Sequence, residues 1–247
     1  MSVMKYLLCL LPLLLLACRQ ADAGKSSPSA AVDEVIVDTA PAPTPMTHWD
    51  TLMLDRGLVD VTTLGLSNVS VDLRYATENN FAGRNMYGDF NKAYLHKDAA
   101  ESLRRALTIL QADDPNWGVV IYDAARPLSV QRVMFDEVKG TAQQKYVAPP
   151  NGGGPHNYGI ALDIGLTYDG RPVDMGTPFD TFNETAHITA EPLLVKQGKI
   201  THEAMDNRVM LRRAMTEAGF RTYSREWWHF TRYTSKYARA RLIILDF

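Results

Sequence analysis

Pro155-His156-Asn157-Tyr158-Gly159-Ile160-Ala161-Leu162-Asp163 is the stretch that decides how this chain folds and where its chemistry sits. From Gly159 to Leu166 the pattern is that of a strand. Ile160, Leu162 and Ile164 make one apolar face, and Ala161, Asp163 and Gly165 make the other. The second face is small apart from one carboxylate, which predicts room for a metal and a substrate beside Asp163. His156 precedes the strand, after the flexible run Asn151-Gly152-Gly153-Gly154. Asn157-Tyr158-Gly159 can turn the chain so that the imidazole comes back over Asp163. Taken singly, Asp163 reads as a structural carboxylate and His156 as a surface loop histidine.

A second segment, Glu226-Trp227-Trp228-His229, changes that balance. A catalytic zinc takes three protein ligands of the N/O type and leaves a fourth position for water. A hydrolytic site also needs a nearby carboxylate that is not a ligand, to move the water's proton. His156, Asp163 and His229 fill the ligand roles, and Glu226 fills the role of base. Two imidazoles and a carboxylate suit zinc, and also iron, cobalt or nickel. Residues three apart point to opposite faces of a regular strand. A turn or bulge must therefore separate Glu226 from His229, with Glu226 just before the strand and His229 at its start. Trp227 and Trp228 would wall the site, at least one of them as plain core. His48, His96, His187 and His202 have no matching carboxylate pattern and read as ordinary histidines.

Outward from these segments, the 247 residues divide unevenly. Met1–Ala17 has Lys5 near its start and an apolar run from Tyr6 to Ala17, too short for a comfortable membrane span and shaped like a secretory signal. It ends Leu15-Leu16-Ala17-Cys18, which resembles a bacterial lipobox, so Cys18 is expected to carry a lipid anchor. Cys9 and Cys18 are the only cysteines, which excludes a disulfide framework and a cysteine nucleophile in the mature chain. Residues 18–46 are rich in Ala, Pro, Ser, Asp and Thr and read as a disordered tether; a removable pro-segment is the other reading. Residues 47–247 are long enough for a single domain with one sizeable core. Removing Lys5 with the signal leaves 25 basic against 28 acidic residues and no basic run. That balance disfavours a nucleic-acid partner. An exported protein anchored in the bacterial cell envelope is the expected location, in the outer membrane if the cell has one. The oligomeric state is not legible.

The domain reads as α+β, with helices packed on a mostly antiparallel central sheet. Val69–Tyr75 alternates like a strand, and Gly118–Tyr122 is a short buried one. Ala99–Gln111 is predicted helical, with Leu103, Ala106, Leu107 and Leu110 in one stripe. Pro127 suits the opening of a helix over Leu128–Val138, and Gly219 the close of one over Glu203–Ala218. Trp228–Thr231 is predicted as the closing strand.

The pattern His156-x6-Asp163 followed by Glu226-Trp227-Trp228-His229 resembles the VanX-type D-Ala-D-Ala dipeptidases. They belong to the zinc peptidases that include the VanY-type D,D-carboxypeptidases. The likeness runs from about Leu58 to Phe230 and takes in Asp72-Leu73-Arg74-Tyr75-Ala76-Thr77, Asn80-Phe81, Gly83-Arg84, Tyr87-Gly88, Tyr122 to Pro127, Asp174 to Asp180, and Asn207-Arg208 through Gly219-Phe220. It implies one Zn2+ per subunit on His156, Asp163 and His229, with Glu226 as general base. It implies Arg126 as the cation that stabilises the oxyanion, D-Ala-D-Ala as substrate, and the Asn80-Phe81 and Asp174–Asp180 loops as pocket walls. The residues themselves leave a surface salt bridge to Asp123 open for Arg126. Where the family has serine two residues before its first histidine, this chain has Gly154, so that serine's hydrogen bond is absent. The implied activity is hydrolysis of D-Ala-D-Ala in the envelope, for wall turnover or recycling. A D,D-carboxypeptidase or endopeptidase acting on peptidoglycan is the alternative. A wall-binding module with a structural zinc fits worse, because such a site has four ligands and no use for Glu226.

Overall fold

The computed structural model describes residues 46–247; the expected signal segment, Cys18 and residues 18–45 of the tether lie outside the described residues. In chain order the elements are α1 (His48–Asp55), β1 (Leu58–Asp60), β2 (Val69–Val71), β3 (Tyr94–His96), α2 (Lys97–Leu110), β4 (Trp117–Asp123), α3 (Leu128–Val138), β5 (Ala161–Tyr168), β6 (Arg171–Pro172), α4 (Glu191–Lys196), α5 (His202–Glu217), β7 (Arg221–Tyr223), β8 (Glu226–Thr231) and α6 (Ser235–Arg241). Short 3₁₀ turns link several of them.

The main sheet has the order β2-β4-β5-β8-β7, with β6 on β5, and β1 and β3 form a separate antiparallel pair. The expected α+β class holds, but the sheet is mixed. β2 joins β4 in parallel, while β4–β5, β5–β8, β7–β8 and β5–β6 are antiparallel. Parallel neighbours need a long crossover, and α2 supplies it here. α2 and α5 pack against each other, with α2 also on β4 and α5 on β5, β7 and β8. The stripe Leu103, Ala106, Leu107 and Leu110 is buried as its spacing requires. Complete burial of a side chain such as Leu103 contributes about 1.5–3 kcal/mol.

Two of the boundaries that differ from the sequence pattern bear on the site. β2 stops at Val71, and Arg74–Ala76 is a 3₁₀ turn. There Tyr75 turns inward and its carbonyl accepts the amides of Met86 and Tyr87. β5 starts at Ala161 because Pro155–Tyr158 forms a 3₁₀ turn closed by Gly159 at φ 65°. A Cβ at Gly159 would stand 2.7 Å from Leu58 Cδ2, so the position needs glycine for both conformation and space.

The first amides of α3 are capped from the far end of the chain. Leu128 N–H donates to the Leu245 carbonyl at 2.7 Å, and Ser129 N–H and Oγ donate to Phe247 O at 3.1 and 2.7 Å. Such bonds satisfy donors that a helix start leaves free. They also hold the segment that follows Arg126.

Candidate metal centre

Asp163 and His229 are direct cross-strand partners in the β5–β8 register. Their side chains meet, with His229 Nδ1 2.8 Å from Asp163 Oδ1. His156, on the 3₁₀ turn before β5, brings Nε2 to 3.2 Å from His229 Nδ1 and 3.4 Å from Asp163 Oδ1. On a tetrahedral zinc with bonds of about 2.0–2.1 Å, neighbouring ligand atoms stand about 3.3 Å apart. The triangle of 2.8, 3.2 and 3.4 Å is close to one face of that tetrahedron. His156 is oriented for the purpose. Its other nitrogen, Nδ1, lies 2.7 Å from the Ala124 carbonyl, which fixes the tautomer that leaves Nε2 free to bind. Among the described residues this is the one cluster of histidine and acidic groups able to hold a metal ion. The other four histidines lie elsewhere; His96 caps α2 and His187 meets Tyr146.

Glu226 is the first residue of β8 rather than a residue before it. Tyr223 pairs with Glu226, yet Thr222 pairs with Phe230, so Trp227, Trp228 and His229 have no partners on β7. This bulge lets residues three apart serve one site, with Glu226 Oε2 4.0 Å from His229 Nδ1. Burial pushes the Glu226 carboxyl well above the usual range, and the nearby Asp163 and Asp180 charges push it further. For Asp163 burial acts upward but is outweighed by the two imidazoles, which hold it low.

Arg126 sits where β4 gives way to α3. It does pair with Asp123, the reading the sequence left open, but the pair is buried rather than on the surface. Arg126 Nη1 also donates to Gln131 Oε1 at 2.8 Å, and the guanidinium lies over the Tyr75 ring. Thus fixed, Arg126 lines the same cavity of about 520 Å³ as His156, Asp163, Glu226 and His229.

Sequence reasoning missed Asp180 as an individual residue. Its carboxylate faces this cavity and accepts bonds from Tyr75 Oη at 2.9 Å and the Phe81 amide at 3.3 Å. Burial and the Asp163 charge raise its pKa to about 7, against those two hydrogen bonds. Its positive φ of 62° is a conformation no local pattern announced.

The walls agree with the expectation of room beside Asp163 and of one tryptophan in the core, and differ for the loops. Asp163 opens on the cavity, while the space over Gly165 is taken by Tyr122, whose Oη would stand 2.8 Å from a Cβ there. Trp228 lines the cavity, but Trp227 turns away and donates to Thr177 Oγ1 at 2.9 Å. Of the two loops expected as walls, Asp180 contributes directly. Phe81 stands behind Phe182, their rings 5.2 Å apart, and Phe182 and Tyr146 form the lining.

Residues 55–244 match the Peptidase_M15 family, described as D-ala-D-ala dipeptidase. The chain belongs to that family. It is therefore an enzyme of a metallopeptidase family, in keeping with the His/Asp cluster. It is 32% identical over 174 residues to the D-alanyl-D-alanine dipeptidase of Escherichia coli, covering 70% of this chain and 83% of that protein. It is 32% identical to the one of Synechocystis, over 56% of this chain and 68% of that protein. It is 29% identical to the one of Enterococcus faecalis, over 67% and 86%.

Proposed function

We propose that this protein hydrolyses D-Ala-D-Ala with one zinc ion per subunit held by His156, Asp163 and His229. The observation that carries the reading is the convergence of those three ligand atoms beside a carboxylate, Glu226, that stands outside the triangle. The names of the relatives support the choice of dipeptide.

A bound zinc would supply a polarised scissile carbonyl and a water whose pKa falls to about 7. The rest of the reaction belongs to the chain. Glu226 takes the proton of the attacking water. Water oxygen bonds to the carbonyl carbon, the C–N bond breaks, and Glu226 passes the proton to the departing amine. Arg126, locked by Asp123 and Gln131, donates to the oxygen that gains negative charge; removing one such donor lowers turnover about 10²–10³-fold. Asp180 receives the ammonium of the dipeptide, a positive partner for a carboxylate otherwise faced by Asp163.

The Leu15-Leu16-Ala17-Cys18 motif supports export and a lipid anchor at Cys18. In the envelope the substrate is dipeptide released from the wall, for turnover or recycling. The test is D-alanine release from D-Ala-D-Ala by chelated protein before and after zinc is restored. Activity that returns with about one zinc per chain supports the proposal, and a zinc-loaded protein inert on the dipeptide refutes it. Palmitate incorporation lost in Cys18→Ser tests the anchor.

A further inference from the structure

Tyr146 and Phe182 are stacked, with ring centroids 5.2 Å apart and planes 6° from parallel. They come from separate segments. Tyr146 ends the 3₁₀ turn Gln144–Tyr146 between α3 and β5, and Phe182 lies in the connection from β6 to α4. Both line the cavity of about 520 Å³ that contains the metal cluster. Both, together with Lys145, also line a second hollow of about 590 Å³, whose lining further includes Ala142, Asn183 and His187. The stacked rings are thus the partition shared by two cavities. The partition is fastened from both sides: Tyr146 Oη meets His187 Nε2 at 3.0 Å, and Phe182 leans on Phe81. It stands beside Asp180, two residues before Phe182, whose carboxylate takes the Phe81 amide.

We infer that the Tyr146–Phe182 pair sets the length of the substrate, closing the reaction cavity at the end where a longer peptide would have to leave it. The inference rests on the dipeptidase reading and on Asp180 as the ammonium partner. In D-Ala-D-Ala the chain ends at that ammonium. In a tripeptide ending in D-Ala-D-Ala the same nitrogen is an amide, and the preceding residue must pass the partition into the outer hollow. The chemistry is unchanged: water adds to the penultimate carbonyl, the last C–N bond breaks, and D-alanine leaves with the proton.

The test uses the full chain, zinc-loaded, with Tyr146→Ala and Phe182→Ala, each checked by thermal unfolding. D-alanine release is followed from D-Ala-D-Ala and from Nα-acetyl-L-Lys-D-Ala-D-Ala. The wild type should prefer the dipeptide in kcat/KM, and each alanine variant should shrink that preference by at least about tenfold, the scale on which a pocket's shape discriminates. Tyr146→Phe keeps the ring while losing the His187 bond, and should keep the preference. An undiminished preference in folded alanine variants, or a wild type without preference, overturns the gate. A wild type idle on both peptides overturns the dipeptidase reading itself, and the gate with it.

Discussion

The Asn157 side-chain amide donates to the carbonyl oxygen of Arg126 at 2.9 Å, and so ties the segment of the first proposed metal ligand to the segment of the proposed oxyanion cation. Asn157 is fully buried and its remaining groups are also used. Its Oδ1 accepts the Gly154 amide at 2.8 Å and its carbonyl accepts the Leu245 amide at 2.8 Å. The Arg126 amide in turn donates to the His156 carbonyl at 3.0 Å. Asn157→Ala would strand a buried carbonyl and a buried amide, a loss of about 1–3 kcal/mol. We expect a lower unfolding temperature and, in the fraction that stays folded, a kcat reduced more than KM is raised. Unaltered kcat in the folded variant would show that the tie does not position the site.

Asp50 gives the fold a dependence on acid. Burial alone would raise its carboxyl, but bonds from Tyr94 Oη, the Thr47 amide and Lys92 Nζ outweigh it and hold the pKa at about 2, against an ordinary 3.8. A folded-state pKa below the unfolded one contributes stability above the unfolded value, and that contribution is lost as pH falls from about 4 toward 2. The depression corresponds to about 2 kcal/mol. Urea unfolding of Asp50→Asn should show that loss at pH 6 and much less of it at pH 2.5. Equal losses at both pH values would contradict the assignment.

Gly154 lacks a side chain because its neighbour occupies the place. A Cβ there would stand 2.9 Å from Ala148 Cβ, while the backbone at φ −98° is ordinary. Gly154→Ser, the residue typical of the family, therefore meets a steric conflict worth about 1–3 kcal/mol. Ala148→Gly should relieve it. A double-mutant cycle in unfolding free energy should give a favourable coupling between the two changes. Additive effects would remove Ala148 as the explanation.

Metal removal should be visible in stability as well as turnover. Asp163, Asp180 and Glu226 line one cavity, where burial and their mutual charges push the Asp180 and Glu226 carboxyls up and so favour a cation among them. A ligand at a thousandfold its dissociation constant stabilises by about 4 kcal/mol. Chelation should therefore lower the unfolding temperature of the wild type by several degrees, and barely change that of His229→Ala. An equal drop in both would place the stabilising ion elsewhere.

Much of the site was legible because its signals are local. His156, Asp163, Glu226 and His229 carry their chemistry in their side chains, and the three-residue spacing of Glu226 and His229 already demanded a break in the strand. The β7–β8 bulge is that break. The helix over Leu128–Val138 was legible from Pro127, which stands at its N-cap. What stayed hidden depends on contacts between distant segments. Asp180 is defined by Tyr75 and Phe81, about a hundred residues earlier. Tyr122 fills the space over Gly165 from the neighbouring strand, and the parallel β2–β4 pairing follows from a crossover that no local pattern announces.

The most direct test of the account is turnover of D-Ala-D-Ala by zinc-loaded Glu226→Gln beside the wild type, with zinc content measured in both. The substitution keeps the shape and removes the base, while His156, Asp163 and His229 are untouched. The account predicts full zinc occupancy in both proteins, and turnover in the variant lower by at least about 10²-fold. A variant that binds zinc and hydrolyses the dipeptide at the wild-type rate would contradict it.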